Sequence, residues 1–200
     1  MNLKHLGDAL DFWKGGIFRL LGNALNDVHV LPMFTDMNVH DTWTDDRIRA
    51  YAILLGVDQT RILRSKDQFP GAQRERYFHN LGIRDDKDIF VDPDIGIEPN
   101  GGGDRRHIRM AEIEVLLPRG SSRVLLVYQH SYRNSKWVDK CLDKVCNSDK
   151  FHAFAYCAGT VAMIFVARRE NQHLKEMRKP FHITRFRLTE VHRFLKSRDI

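Results

Sequence analysis

The sequence predicts an α/β protein: a three-layer, Rossmann-like domain whose sheet is mostly parallel, with an antiparallel pair at one edge. Three observations predict it. The runs at 88–91 (Asp-Ile-Phe-Val), 124–128 (Val-Leu-Leu-Val-Tyr) and 160–166 (Thr-Val-Ala-Met-Ile-Phe-Val) are continuously apolar rather than alternating, as strands buried on both faces are. Segments with helical character, 107–117 and 134–145, separate them, and strands alternating with helices are the pattern of a parallel sheet with crossover helices. A further run at 151–157 is divided from 160–166 by little more than Gly159, so these two are expected to pair antiparallel at the sheet edge.

The first half follows in order. Leu10, Trp13, Ile17, Leu20, Leu21 and Ala24 recur at helical spacing, which predicts an amphipathic helix over 8–25 with Asp8 near its start and Asn26 near its end. The short apolar, β-branched run at 28–33 predicts a strand. Thr44-Asp45-Asp46 is a helix start for 47–55, closed by Gly56, and Asp58 is placed to cap a further turn through Leu63. Residues 65–80 are polar and poorly periodic. The domain is expected to span 1–168, with 169–200 as a basic, helical C-terminal extension.

Composition narrows the class. Two hundred residues, 42% hydrophobic and 29% charged, with 13 Gly and 6 Pro, suit one globular domain and exclude collagen-like or low-complexity chains. The net charge of +6 is concentrated: residues 168–200 hold ten basic and four acidic residues, and the remainder is balanced at 22 against 22. A basic tail on a neutral body predicts an anionic partner, nucleic acid being the usual one. Cys141, Cys146 and Cys157 form no CxxC pair, which speaks against a structural zinc site or a disulfide framework. The opening residues reach Asp8 before any apolar run of signal length, and 160–167 is too short to span a bilayer, so a cytoplasmic protein without membrane association is expected. No repeat at solenoid periods is present.

In open α/β sheets ligands bind beyond the carboxyl ends of the strands. Asp92-Pro93-Asp94-Ile95-Gly96-Ile97-Glu98 begins where the 88–91 strand ends. Pro93 biases Asp92 to extended backbone and Gly96 permits a turn, an arrangement expected to bring Asp92, Asp94 and Glu98 round one point. Clustered carboxylates repel unless a cation joins them, and Mg²⁺ takes oxygen ligands. The alternative is turn chemistry, with Asp92 as a cap and Asp94 solvated. Gln129 and His130 follow the next strand, with Arg133 three residues on; imidazole titrates near neutrality and guanidinium grips phosphate. Asp8, Asp11 and Lys14 stand at i, i+3 and i+6 of the first helix, which by spacing alone suits an exposed face with an Asp11/Lys14 pair.

Three segments in order, Gly7-Asp8-Ala9-Leu10-Asp11-Phe12-Trp13-Lys14 with Leu20-Leu21, then 89–98, then 125–130 with Arg133, resemble a bacterial protein family of no established activity. That family carries GDxxDYxKxxLLR, FxDPDNGxE and LLxYQHxxR motifs, and its likeness is Rossmann-like and distantly methyltransferase-like. Phe12 stands where the family has Tyr and Ile95 where it has Asn, and residues after 168 have no counterpart. The resemblance implies that Asp8, Asp11, Lys14, Asp92, Asp94, Glu98, Gln129, His130 and Arg133 form one constellation, of active-site rather than packing character.

Three functions follow as expectations. The first is a metal-dependent, nuclease-like hydrolase. Asp92 and Asp94, with Glu98, Asp11 or Asp8, would hold Mg²⁺ or Mn²⁺, while Lys14 and Arg133 offset phosphate charge, His130 moves a proton and Gln129 completes the set. The second is a degenerate S-adenosylmethionine methyltransferase-like protein, suggested by the opening helix and the Asp92-Pro93 loop. It lacks glycines over 34–39 and the second Pro and aromatic of a base-methylating loop. The third is a non-catalytic nucleic-acid-binding or interaction module. A restriction-nuclease arrangement of Pro93-Asp94 with Glu112-Ile113-Glu114 lacks the usual Lys, and 112–117 reads as helix.

Overall fold

The computed structural model describes residues 6–35, 43–64, 69, 74–79, 81–100, 104–130 and 135–183. Its strands are β1 (His29–Pro32), β2 (Ile89–Asp92), β3 (Gly96–Ile97), β4 (His107–Ile108), β5 (Leu125–His130), β6 (Phe151–Ala158) and β7 (Val161–Arg168). Its helices are α1 (Ala9–Leu21), α2 (Asp45–Leu55), α3 (Arg74–Phe78), α4 (Met110–Leu116), α5 (Ser135–Cys146) and α6 (His173–Ile183), with single 3₁₀ turns at Gly22–Ala24 and Gln59–Arg61. The main sheet runs β1-β2-β5-β7-β6. β1, β2 and β5 are parallel, with Leu31 beside Val91 and Val91 beside Val127, whereas β7 is antiparallel to both β5 and β6. β3 and β4 form a separate parallel pair. The fold is thus the α/β, Rossmann-like architecture that the apolar runs predict, with its antiparallel pair at the edge.

Because successive strand residues point to opposite faces, the strands divide their side chains between two cores. Val30, Phe90, Leu126, Met163 and Phe165 meet α1, α2 and α6 on one side. Leu31, Ile89, Val91, Val127 and Ile164 meet α3, α4 and α5 on the other. Every residue of β2 is buried. Such double burial, about 1.5–3 kcal/mol for each large apolar side chain removed from water, is why these strands read as unbroken apolar runs.

Local signals place the helices. The Asp8 carboxylate caps α1 by accepting the Leu10 and Asp11 N–H groups at 2.8 and 3.3 Å. Thr44 caps α2 through the Arg47 N–H, and Gly56, at φ 73°, ends it. Two readings of the sequence are amended. The polar stretch 65–80 contains α3, whose Tyr77 and Phe78 are buried, and 107–117 opens as β4 before α4 begins. The first part of the expected extension also belongs to the packed body: Leu174, Met177 and Phe181 of α6 are buried in the α1 face of the core. Residues 184–200 lie outside the described residues. No helix among the described residues is long and apolar enough to cross a membrane.

Candidate active site

β1 and β2 end side by side at Pro32 and Asp92, and β5 runs two residues past the level of Asp92 to end at His130. The central feature there is an ammonium held between two carboxylates. Lys14 of α1 donates to Asp11 Oδ1 at 3.0 Å and to Asp92 Oδ2 at 2.9 Å. All three residues are at most 5% exposed. The Tyr51 hydroxyl of α2 donates to the same Asp92 oxygen at 2.5 Å, the Gly7 N–H donates to Asp11 Oδ2 at 2.8 Å, and Lys14 Nζ lies 4.6 Å from the centre of the Tyr128 ring. Elements distant in sequence are therefore tied at one strand end.

Burial and charge work against each other here. Burial would lower the Lys14 pKa, but Asp92 and Asp11 outweigh it and hold the ammonium charged, above its ordinary range. Burial raises the Asp11 carboxyl, with Lys14 opposing and Asp92 adding to the rise. Tyr51 is raised well above the usual phenol value by burial and then by Asp92, and Tyr128 is raised by burial too. Both phenols thus keep their protons at neutral pH.

The α1/α2 crossing makes this possible. A Cβ at Gly15 would stand 1.9 Å from the Leu54 carbonyl oxygen, so only glycine lets the two helices approach closely enough for Lys14 and Tyr51 to share Asp92.

The loop after β2 is strapped to β5 by Gln129. Its Oε1 accepts the Ile97 N–H at 2.8 Å, and its Nε2 donates to the Ile95 and His130 carbonyls at 3.1 and 3.0 Å. Gly96 lies under that amide at φ 128°, and a Cβ there would fall 2.3 Å from Gln129 Oε1. The His130 N–H completes the strap by donating to the Ile95 carbonyl at 2.7 Å. Gln129 is fully buried, so its amide orients the loop, while His130 and Asp94 remain half-buried beside it. Burial lowers the His130 pKa, which favours the neutral imidazole. The Asp94 carboxylate accepts from Thr35 Oγ1.

The expectation that Asp92, Asp94 and Glu98 converge on one point is corrected by this geometry. Asp92 faces Lys14 and Tyr51, Asp94 faces Thr35, and Glu98 turns to Lys144 at 3.0 Å and to the Asn100 N–H. Asp8 is spent on the α1 cap. Gly96 puts the chain into β3, which carries Glu98 towards α5 instead of back to Asp92. Among the described residues no three His, Cys, Asp or Glu side chains are grouped to hold a metal ion, and the place between Asp11 and Asp92 is filled by Lys14. The donor set therefore does not fit the Mg²⁺ or Mn²⁺ site expected from the sequence. Arg133 lies outside the described residues. Glu112 of the restriction-nuclease arrangement is on α4, bonded to Arg74.

Of the expected constellation, the structure brings Asp11, Lys14 and Asp92 into contact and sets Gln129 and His130 against the Asp94 loop. It adds Tyr51 and Tyr128. Tyr51 carried a signal only of burial, at i+3 from Ile48 on the apolar stripe of α2. No protein-family model, curated protein or solved structure matches the chain.

Proposed function

We propose that the chain is a hydrolase acting on phosphodiesters of nucleic acid, with its site at the strand ends and Lys14 as its resident cation. The observation that carries this reading is the Lys14 ammonium held between Asp11 and Asp92 at the carboxyl ends of parallel strands, where α/β proteins place their chemistry. His130, half-buried at the end of β5 with a lowered pKa, is the general base: it takes a proton from water as the water oxygen bonds to phosphorus. The bond from phosphorus to the leaving oxygen breaks, and that oxygen takes a proton from solvent. Asp94, anchored by Thr35, orients the attacking water. Lys14 and Tyr51 hold Asp92, and through it the end of β2, in a fixed arrangement. The basic C-terminal region supports nucleic acid as the substrate class.

The test is incubation of the full chain with labelled single-stranded and duplex DNA and RNA, in chelator and with added Mg²⁺ or Mn²⁺. Cleavage that persists in chelator and is lost in His130→Gln is expected. No cleavage under any condition, or undiminished cleavage by His130→Gln, would overturn the reading.

A second reading, a methyltransferase-like protein, is favoured by one observation: the Asp92-Pro93 loop lies at the end of a central parallel strand with the opening helix packed against it through Lys14. Calorimetry with S-adenosylmethionine separates the two, since binding of that cofactor belongs only to the second.

A further inference from the structure

The β6 edge of the sheet gathers cations that no carboxylate neutralises. His152, the second residue of β6, shares a face with Phe154 and Tyr156, whose rings meet Phe181 of α6. Its imidazole therefore stands on the α6 side of the sheet. Arg169 closes the same corner: its N–H donates to the Lys150 carbonyl at 3.2 Å, one step beyond the pairing of Phe151 with Arg168. α6 supplies the rest. Leu174, Met177 and Phe181 form its buried stripe, and at about 3.6 residues per turn the two flanks of that stripe carry different residues. His173 lies on one flank and reaches Asp88, the residue before β2. Lys175 and Arg178, neighbours at i and i+3, lie on the other flank, which faces β6. Arg169 and Lys175 both oppose protonation of the His152 ring, adding to the effect of its burial.

The other charges of this region are matched. Lys150 binds Glu114, Arg169 binds Asp149 at 3.2 Å and Lys179 binds Glu176. Glu170, the remaining carboxylate of the stretch, is exposed and bonds to none of the cations. Lys175 and Arg178 make no ion pair among the described residues, and the His152 ring makes no hydrogen bond. The Nε of Arg178 is buried and lacks an acceptor. Cations drawn together in this way attract an anion. Guanidinium offers phosphate a planar fork, ammonium a point charge and imidazole a further N–H donor. Such contacts position a nucleic-acid backbone and carry no sequence information.

The patch is separate from the strand-end site. Tyr156 pairs with Met163 and Met163 with Tyr128, which is level with Asp92. His152, four residues earlier on β6, is thus about 13 Å from that level, towards the amino end of the parallel strands.

We propose that His152, Lys175 and Arg178, with Arg169 beside them, form a phosphate-binding patch that holds the backbone of a nucleic acid away from the strand-end site. The inference rests on the nucleic-acid reading above and goes beyond it in naming the surface that grips the substrate and the sequence-independent way it does so.

The test has two arms, both on the full chain. In the first, histidine ring signals are followed by NMR as inorganic phosphate is added at constant ionic strength. The His152 signals are expected to shift saturably, and the shift should be lost when Lys175→Gln and Arg178→Gln are combined. In the second, the anisotropy of labelled duplex DNA and of labelled single-stranded RNA is measured across a salt series. The slope of log affinity against log salt should fall by about two in the double variant, one for each phosphate contact removed. Lys175→Gln alone, a change at an exposed side chain, should lower it by about one. Thermal melting establishes that the variants are folded. A wild type whose His152 signals respond to phosphate but that binds neither nucleic acid overturns the nucleic-acid reading and, with it, the backbone as ligand. A wild type that binds nucleic acid with a slope that the folded variants leave unchanged overturns the patch alone.

Discussion

Lys14 Nζ lies 2.9 Å from Asp92 Oδ2, joining the first helix to the end of the second parallel strand through a contact almost wholly removed from water. Asp92 and Asp11 share that one ammonium, so its loss leaves two carboxylates without a cation. Lys14→Met is expected to cost about 3–5 kcal/mol of stability, read from the urea midpoint, because an uncompensated buried charge is far costlier than a broken surface pair. The sign with pH follows from Asp11. Its folded pKa is already raised, first by burial, so its contribution is fully present below the unfolded value of about 4 and is lost as pH rises through the folded value. The Lys14→Met deficit should therefore be larger at pH 7 than at pH 4; an equal deficit would mean that the ammonium neutralises nothing.

Gly15→Ala tests how that contact is positioned. The added methyl would meet the Leu54 carbonyl, a backbone group with no rotamer to yield. A loss of about 3 kcal/mol or more is expected, whereas Gly16→Ala, where nothing lies within 4 Å, should be neutral or stabilising. Thermal melts of the two variants decide it.

These variants also show what the sequence made legible. The strands were readable because burial on both faces leaves an unbroken apolar run, and the strand-end position of Asp92 followed from the end of one such run. Lys14 was readable only as a member of a recurring constellation. By spacing it suits an exposed ion pair, and its burial depends on a helix crossing set by one glycine and a carbonyl 39 residues away. The direction of Glu98 was hidden for a similar reason, since the pairing of Gly96 with His107 is long-range. The docking of α6 is written in Leu174, Met177 and Phe181 at i, i+3 and i+7, but the charged residues between them give the same segment the composition of a solvated basic extension.

Gln129→Leu should destabilise by about 1–3 kcal/mol, the cost of leaving the Ile97 N–H and the Ile95 carbonyl buried without the partners that Gln129 supplies. Gly96→Ala should disturb the same strap through its clash with the Gln129 amide and a backbone angle alien to alanine. Amide hydrogen exchange at Ile97 is the measurement; unchanged protection in Gln129→Leu would contradict the strap.

The docking of α6 should depend on pH through His173. Its pKa is raised, chiefly by the hydrogen bond to Asp88, so the stability it contributes is fully present below about pH 6.5 and is lost as pH rises through the folded value. His29, His130 and His152 are lowered, each mainly by burial, and act in the opposite sense. The difference between wild type and His173→Gln in urea melts from pH 5 to 8 isolates the first effect, and the variant should be the less stable only at the acid end.

If His130 is the base, the rate of strand cleavage should rise with pH through an acid limb centred below the ordinary histidine value, because burial lowers its pKa. Rate profiles of wild type and His130→Gln check this; a limb retained in the variant belongs to another group.

The most direct measurement is the rate of nucleic-acid cleavage by wild type and by Asp92→Asn, with circular dichroism and melting of both to establish that the fold is kept. An amide of the same shape keeps the side-chain volume but loses the charge that holds Lys14 and Tyr51. The account predicts a loss of about 100-fold or more in rate with the fold intact. An Asp92→Asn protein that is folded and cleaves at the wild-type rate would contradict it.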